Sequence, residues 1–278
     1  MKCFKILLLI ITLALSPLAF SDVQPADYRH NVSDKAWEEN LRKQNFQDRN
    51  IIEGAEQNIL ELKAPYTAED ASVVPISIHT KIPQTKERYI KKMHVFVDMN
   101  PMPLVGLFEF TPDSGKADLA MRIRVDTFAY VRVVAEMNSG ELYMTKSFVR
   151  AKGACSAPPP ASMEDSRKLL GKMQMKVVGD VALGEPNLMQ VKVRHPNITG
   201  MAPIRVGSRV IPPAFFMDTM EVTYNDKLIV KALLTFSVSM DPALRFYFVP
   251  QEEGVMTVKG TDTKKNEFSS TYNVTTNS

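Results

Sequence analysis

Cys155 is the residue with the most chemistry to offer. It sits in Arg150-Ala151-Lys152-Gly153-Ala154-Cys155-Ser156-Ala157, followed by Pro158-Pro159-Pro160. Its neighbours Gly153, Ala154, Ser156 and Ala157 are all small, so nothing adjacent in sequence can shield the sulfur by bulk. Glycine loosens the backbone on one side, and three prolines resist helix or sheet on the other. This context predicts a thiol held out on a short arm made of Lys152, Gly153, Ala154 and Ser156. From Val149 to Cys155 the chain can extend about 20 Å, enough to enter another protein's cleft. Lys152 and Arg150 add positive charge, which favours the thiolate and would attract an anionic adduct.

Other chemistry is weaker. The four histidines, His30, His79, His94 and His195, show no ligand spacing. One of them beside Cys155 in space would make a thiol redox enzyme with a Cys–His nucleophile. Met93, His94, Met99 and Met102 form a soft donor group of the kind that suits Cu(I), so a copper-binding module is a further alternative. Against it, Met93, Met121, Met173, Met175 and Met189 recur at strand period, where core packing explains them. There is no phosphate-binding glycine loop, no H-E-x-x-H and no G-x-S-x-G. The expectation is a protein that is not an enzyme by itself, with no catalytic residues, no cofactor and no metal.

The N-terminus bounds the compartment. Met-Lys-Cys-Phe-Lys is a basic start, Ile6 to Leu15 is almost purely apolar, and Ala19-Phe20-Ser21 offers small residues to a signal peptidase. Residues 1–21 are therefore expected to be a cleaved signal peptide, since about 20 apolar residues are needed to span a bilayer. Of the two cysteines, Cys3 leaves with this segment. An exported chain with one cysteine cannot form an internal disulfide, so its thiol invites a functional explanation. Losing Lys2 and Lys5 from 34 basic residues leaves 32 against 31 acidic ones, a near balance that argues against nucleic acid. After cleavage no apolar run is long enough for a membrane span.

The rest of the chain must position the thiol. A short helical segment capped by Ser33 or Asp34 is expected through Phe46, with Trp37 and Leu41 on one side. From Asn58 the apolar period becomes two: Val74-Ile76-Ile78, Met93-Val95-Val97 and Leu119-Met121-Ile123-Val125. Ala129 to Met137 and Leu142 to Val149 follow, joined at Asn138-Ser139-Gly140. After the prolines the pattern restarts at Met173, and Asn225-Asp226 reads as a two-residue hairpin turn. Leu244-Phe246-Phe248, Val255 to Lys259 and Phe268 to Val274 complete the chain. The expected fold is all-β, two β-sandwich domains with a short N-terminal helical segment. The expected division is 1–21 signal peptide, 22–157 first domain, 158–170 proline-rich linker and 171–278 second domain. Each sandwich is expected to cover a sheet face of the other.

These residues carry a resemblance. Leu60, Val74-Pro75, Asn100-Pro101, Arg122 to Val125 and Val131 to Val134, leading into Lys152-Gly153-Ala154-Cys155, resemble SoxY, the sulfur-carrying subunit of periplasmic thiosulfate oxidation. Arg194-His195-Pro196-Asn197-Ile198-Thr199-Gly200, Ile211-Pro212-Pro213, the Asn225-Asp226 hairpin, Asp241-Pro242 and Phe246 to Phe248 resemble its partner SoxZ. The order within one exported chain is similar to SoxYZ-like carriers associated with quinoprotein (PQQ) dehydrogenases. The resemblance implies immunoglobulin-like sandwiches, SoxY–SoxZ pairing within the chain and covalent attachment of sulfur-compound intermediates to Cys155. It implies a periplasmic setting and partners that are Sox-type sulfur enzymes or a quinoprotein dehydrogenase system. SoxY ends in a Gly-Gly-Cys-Gly-Gly type tail, whereas here Ala154 and Ser156 flank the cysteine and a whole domain follows it. The arm is thus tethered at both ends.

Overall fold

The computed structural model describes residues 25–56, 58–156, 168–203 and 207–276. Residues 1–21, expected to be a signal peptide, lie outside them, as do residues 158–167 of the expected proline-rich linker.

Period two is realised as strands throughout. The first half holds β1 (Ile51–Ile52), β2 (Leu60–Lys63), β3 (Val74–Thr80), β4 (Ile90–Val97), β5 (Leu104–Phe110), β6 (Leu119–Ile123), β7 (Ala129–Met137) and β8 (Leu142–Val149). The second holds β9 (Met173–Val178), β10 (Asn187–Val193), β11 (Met217–Tyr224), β12 (Lys227–Leu234), β13 (Ala243–Phe248), β14 (Gly254–Asp262) and β15 (Glu267–Val274). Burial alternates along them as expected: Leu119, Met121 and Ile123 are buried while Ala120 and Arg122 are not. Asn225 and Asp226 both take positive φ, 45° and 63°, as a type I′ hairpin turn between β11 and β12 requires. The fold is all-β, with a sandwich in each half.

The halves do not stack face on face, which corrects the packing expectation. They join edge to edge, so that two sheets run through the whole molecule. One has nine strands in the order β1-β8-β7-β4-β5-β12-β11-β14-β15, the other six in the order β2-β3-β6-β13-β10-β9. At the seam β5 pairs antiparallel with β12, from Val230↔Phe110 to Leu234↔Gly106, and β6 meets β13 at Arg245↔Ala120. Edge pairing satisfies backbone N–H and C=O groups that two separate sandwiches would leave open. It also merges the inner faces into one apolar core containing Phe108 and Phe110 from the first half and Val230, Ala232 and Phe246 from the second.

Gly106 lets β5 and β12 come together. A Cβ there would lie 3.0 Å from the Leu233 carbonyl oxygen and 3.1 Å from the Phe108 ring. Gly106→Val should therefore overpack the seam and lower stability by about 1–3 kcal/mol, measured by urea denaturation. An unchanged midpoint would mean that the seam yields freely.

The N-terminal segment comprises α1 (Pro25–Ala36), a π turn (Trp37–Leu41) and α2 (Arg42–Phe46). The capping expectation is corrected, because Ser33 lies inside α1. Its hydroxyl has tertiary partners instead, donating to Asp98 Oδ2 at 2.8 Å and accepting from the Tyr130 N–H at 2.9 Å. Trp37, Leu41 and Phe46 pack on Phe96, Val134, Leu142 and Met144, covering the outer face of the nine-stranded sheet in the first half. Among the described residues, no helix is long and apolar enough to cross a membrane.

Candidate functional site

The segment after β8 is tied down before it reaches the cysteine. The Arg150 N–H donates to the Tyr66 carbonyl at 2.7 Å, and its carbonyl accepts from the Ala68 N–H at 3.1 Å. The Arg150 guanidinium lies over the Tyr66 and Phe128 rings, so its charge is engaged there. Ala151 is buried and Lys152 is exposed. Gly153 then takes φ +84°, a conformation that costs glycine little, and donates its N–H to the Asp126 carbonyl at 2.7 Å. This turn carries the chain back onto the body of the protein.

Cys155 docks where the turn points. Its N–H donates to Asp126 Oδ1 at 2.8 Å, and its carbonyl accepts from the Thr199 hydroxyl at 2.8 Å. Its relative exposure is 0%, against 1% for Ala154, while Ser156 is exposed. The expectation of a thiol held out on an arm is corrected for this conformation. Small neighbours leave a sulfur unshielded only when nothing distant comes to meet it, and here Asp126 and Arg124 act on the sulfur while Thr199 of the second half holds its backbone. Lys152, Gly153, Ala154 and Ser156 form the tight turn that seats Cys155, with only Ala154 and the cysteine itself buried.

The dock is built at the seam. Arg124 and Asp126 extend the line of β6, and Asn100 braces them. The Asn100 Oδ1 accepts from the Asp126 N–H at 2.8 Å, while its amide donates to the Arg124 carbonyl at 2.9 Å and to Ser237 Oγ at 3.1 Å. The buried Arg124 donates from Nη1 to the Phe236 and Val238 carbonyls at 3.3 and 3.0 Å, locking the first half to the second. Thr199 is delivered by the Arg194-to-Gly200 loop. In it Asn197 donates to the Val238 and Ser239 carbonyls and accepts from the Met217 N–H. Gly200 takes φ +78° with the Ala214 backbone nitrogen 2.8 Å from where a Cβ would stand, so only glycine fits.

The electrostatics oppose ionisation. Burial, aided by the Asp126 carboxylate, pushes the Cys155 thiol up from 9.0 to about 12, with Arg124 acting in the other direction. This reverses the direction expected from Lys152 and Arg150: the charges that reach the sulfur come from the end of β6, not from sequence neighbours.

Each histidine has another occupation. His30 stacks on Phe148 at 3.6 Å and bonds to the Tyr130 hydroxyl, and His79 contacts Asp118. His94 packs edge-on to Phe46, and burial lowers it to about 4. His195 is fixed on both sides, with Nδ1 accepting from the Asn197 N–H and Nε2 facing Asp262 at 3.4 Å. None is a hydrogen-bond or charge partner of Cys155 among the described residues. The copper alternative fails on strand geometry, because Met93 and His94 are consecutive on β4. Met93 points into the main core and His94 to the opposite face, so the two cannot converge. Groups of three or more His, Cys, Asp or Glu able to hold a metal do not occur among the described residues.

Reading residue types alone missed Asn100, Arg124, Asp126, Thr199 and Ser237. Four of these lie in or beside the strings that carry the resemblance, Asn100-Pro101, Arg122 to Val125 and Arg194 to Gly200. That was the available signal, and it marked the segments without assigning the contacts.

A two-sheet sandwich protein with one cysteine seated at the junction of its halves is the class that fold and site define. Residues 42–155 match the model of SoxY, sulfur oxidation protein SoxY, and residues 175–273 match that of SoxZ, sulphur oxidation protein SoxZ. The chain joins a SoxY domain and a SoxZ domain in one polypeptide and is a fused SoxYZ-like protein. Cys155 is the last residue of the SoxY match. No curated protein matches the chain. Among solved structures it is similar to the sulfur carrier protein SoxY from Chlorobium limicola f thiosulfatophilum, at 25% identity and TM-score 0.33, covering 40% of this chain and 91% of that one. It is also similar to a superoxide reductase (neelaredoxin) from Ignicoccus hospitalis, at 11% identity and TM-score 0.30, covering 34% of this chain and 80% of that one. A putative superoxide reductase from Thermotoga maritima gives 18% identity and TM-score 0.31, covering 36% of this chain and 92% of that one.

Proposed function

We propose that the chain is an exported, periplasmic carrier that holds sulfur-compound intermediates covalently on Cys155. It presents them to Sox-type enzymes or to the enzymes of a quinoprotein dehydrogenase system. The observation that carries this reading is the seat of Cys155. The cysteine closes the SoxY match and is held by Asp126 of the SoxY domain and Thr199 of the SoxZ domain.

In the docked form the thiol is covered and protonated, hence unreactive toward stray oxidants and electrophiles. Loading requires the segment to lift, breaking the Asp126 and Thr199 hydrogen bonds to the Cys155 backbone. The bond to the Asp126 carboxylate contributes about 1.5–3 kcal/mol and the one from the Thr199 hydroxyl about 1 kcal/mol, a cost that docking on a partner enzyme can offset. Once lifted, the thiol leaves the Asp126 carboxylate and its pKa falls toward the ordinary value. Cargo joins by an S–S bond to Cys155 Sγ as the thiolate attacks the sulfane sulfur of a persulfide or thiosulfonate donor; the donor's own S–S bond breaks, a thiol or sulfinate leaves, and the loading enzyme takes the thiol proton. The protein alone turns nothing over.

Intact-mass measurement on protein prepared from its native compartment without reductant tests this. One sulfur-containing adduct per chain is expected, removed by reductant and absent from Cys155→Ala. Purified protein should accept one persulfide or thiosulfonate equivalent and then stop. Multiple turnovers by the purified chain, or a mass that never departs from that of the free thiol, would overturn the carrier reading.

A further inference from the structure

The outer face of the six-stranded sheet carries a groove of about 710 Å³ that crosses the seam between the two domains. Lys63, Arg122, Lys192 and Arg245 line it, and no carboxylate does. The strand register explains its shape. One cross-strand row reads Lys63↔Ser77↔Ala120↔Arg245↔Gln190, and a neighbouring part of the sheet places Pro75 beside Arg122 and Ala243 beside Lys192. Short side chains at Ser77, Ala120 and Ala243 make the floor, and long cationic ones rise beside it.

The charge is only partly answered within the protein. Lys63 approaches Glu61 at 3.5 Å and Lys192 approaches Asp241 at 3.6 Å. Arg122 donates to the Asp241 backbone carbonyl and Arg245 to the Gln190 side-chain oxygen, both neutral acceptors. Among the described residues neither arginine has a carboxylate partner. A near-neutral protein has gathered cations in one concavity, which is a surface that attracts and orients an anionic partner.

Two features choose the kind of partner. Lys63 on β2 and Lys192 on β10 are four strands apart, about 19 Å at sheet spacing. A single small oxyanion spans at most two of these cations, whereas an extended acidic segment spans them all. The groove also lies close to the seat of the cysteine. Arg122 lines it, and Asp126, which holds the Cys155 N–H, is four residues further on and no more than about 14 Å away.

We propose that this groove is the docking site for an acidic, extended segment on the proteins that load or unload Cys155. The identity of those proteins as loading enzymes rests on the carrier reading, but the site itself needs only its charge and shape. Because the groove is made from both domains, it exists only when the seam is intact.

Fluorescence anisotropy of a labelled deca-glutamate peptide against the full chain at low ionic strength tests the proposal. Binding is expected, and it should weaken as salt rises. Lys63→Glu/Arg245→Glu should weaken it at least tenfold, with Arg245→Gln giving a smaller loss in the same direction. Lys231→Glu/Lys259→Glu makes the same charge change on the exposed face of the nine-stranded sheet, and should weaken binding less than threefold. Cys155→Ser should bind as the unmodified chain does. Failure of the carrier reading would thus leave this result standing, and failure here would leave adduct formation untouched. Equal losses in the two double variants, or no binding by the peptide, would overturn the proposal. So would displacement of the peptide by sodium sulfate at an ionic strength where sodium chloride leaves it bound, since that would make the groove a small-oxyanion site.

Discussion

At pH 7, iodoacetamide should alkylate Cys155 in the folded chain about 10³-fold more slowly than it alkylates a small peptide thiol. The thiolate is the nucleophile, and moving the pKa from 9.0 to about 12 lowers the thiolate fraction by that factor before access is considered. Complete burial of the sulfur lowers the rate further unless the segment lifts. Because the docked thiol has a raised pKa, it holds its proton more tightly than the released one. Docking is therefore fully favoured below pH 9 and is lost as pH rises from 9 toward 12, so labelling should accelerate steeply over that range. Two variants should speed labelling at pH 7. Thr199→Val removes the hydroxyl that bonds the Cys155 carbonyl, while Asp126→Asn keeps an acceptor for the Cys155 N–H and removes the charge that opposes the thiolate. Labelling of the unmodified chain at the peptide rate would mean that the docked conformation is not the resting one.

Arg132→Leu should cost about 3–5 kcal/mol of stability at pH 8. Arg132 is 1% exposed and gives Nε to both oxygens of the buried Asp98, at 3.0 and 2.8 Å, and Nη2 to Asp34 at 2.5 Å. Asp98 also accepts from Ser33 at 2.8 Å, and the guanidinium lies over Trp37. The group therefore pins the N-terminal helical segment to the outer face of the nine-stranded sheet. Without the arginine, Asp98 is left as an uncompensated buried charge or must take up a proton. Burial already raises it to about 6, against the pull of Arg132. A raised carboxyl gives stability that is present below 3.8 and is lost as pH climbs through its folded pKa. Removing Arg132 raises that pKa further, so the deficit should be smaller at pH 5 than at pH 8. Urea denaturation at the two pH values measures this, and a deficit that is equal at both would refute the role given to Asp98. Arg132→Leu combined with Asp98→Asn should cost less than the two single changes added, since the pair acts as a unit.

Much of the chain was legible as sequence. Strand positions from Val74 to Ile78, Met93 to Val97 and Leu119 to Ile123 follow from alternation, because a half-buried strand requires it whatever surrounds it. The Asn225-Asp226 hairpin follows from local backbone preference. The SoxY-then-SoxZ order was carried by short strings along one chain. In each case the cause lies within a few residues of the effect.

What the sequence left undecided depends on parts of the chain that lie far apart. β5 and β12 are separated by more than a hundred residues, and whether their edges meet or their faces stack is not encoded in either strand's alternation. Ser33 resembles a helix cap until Asp98 and Tyr130 claim its hydroxyl. Cys155 looks bare among Gly153, Ala154 and Ser156, yet Asp126 and Thr199, 29 and 44 residues away, hold its backbone, and the residue is buried. The thiol's pKa reverses direction for the same reason. Electrostatics act through space, and folding decides which charges are near. Residue type decides where the chain has a thiol, and tertiary structure decides that this thiol rests buried at the junction of two domains.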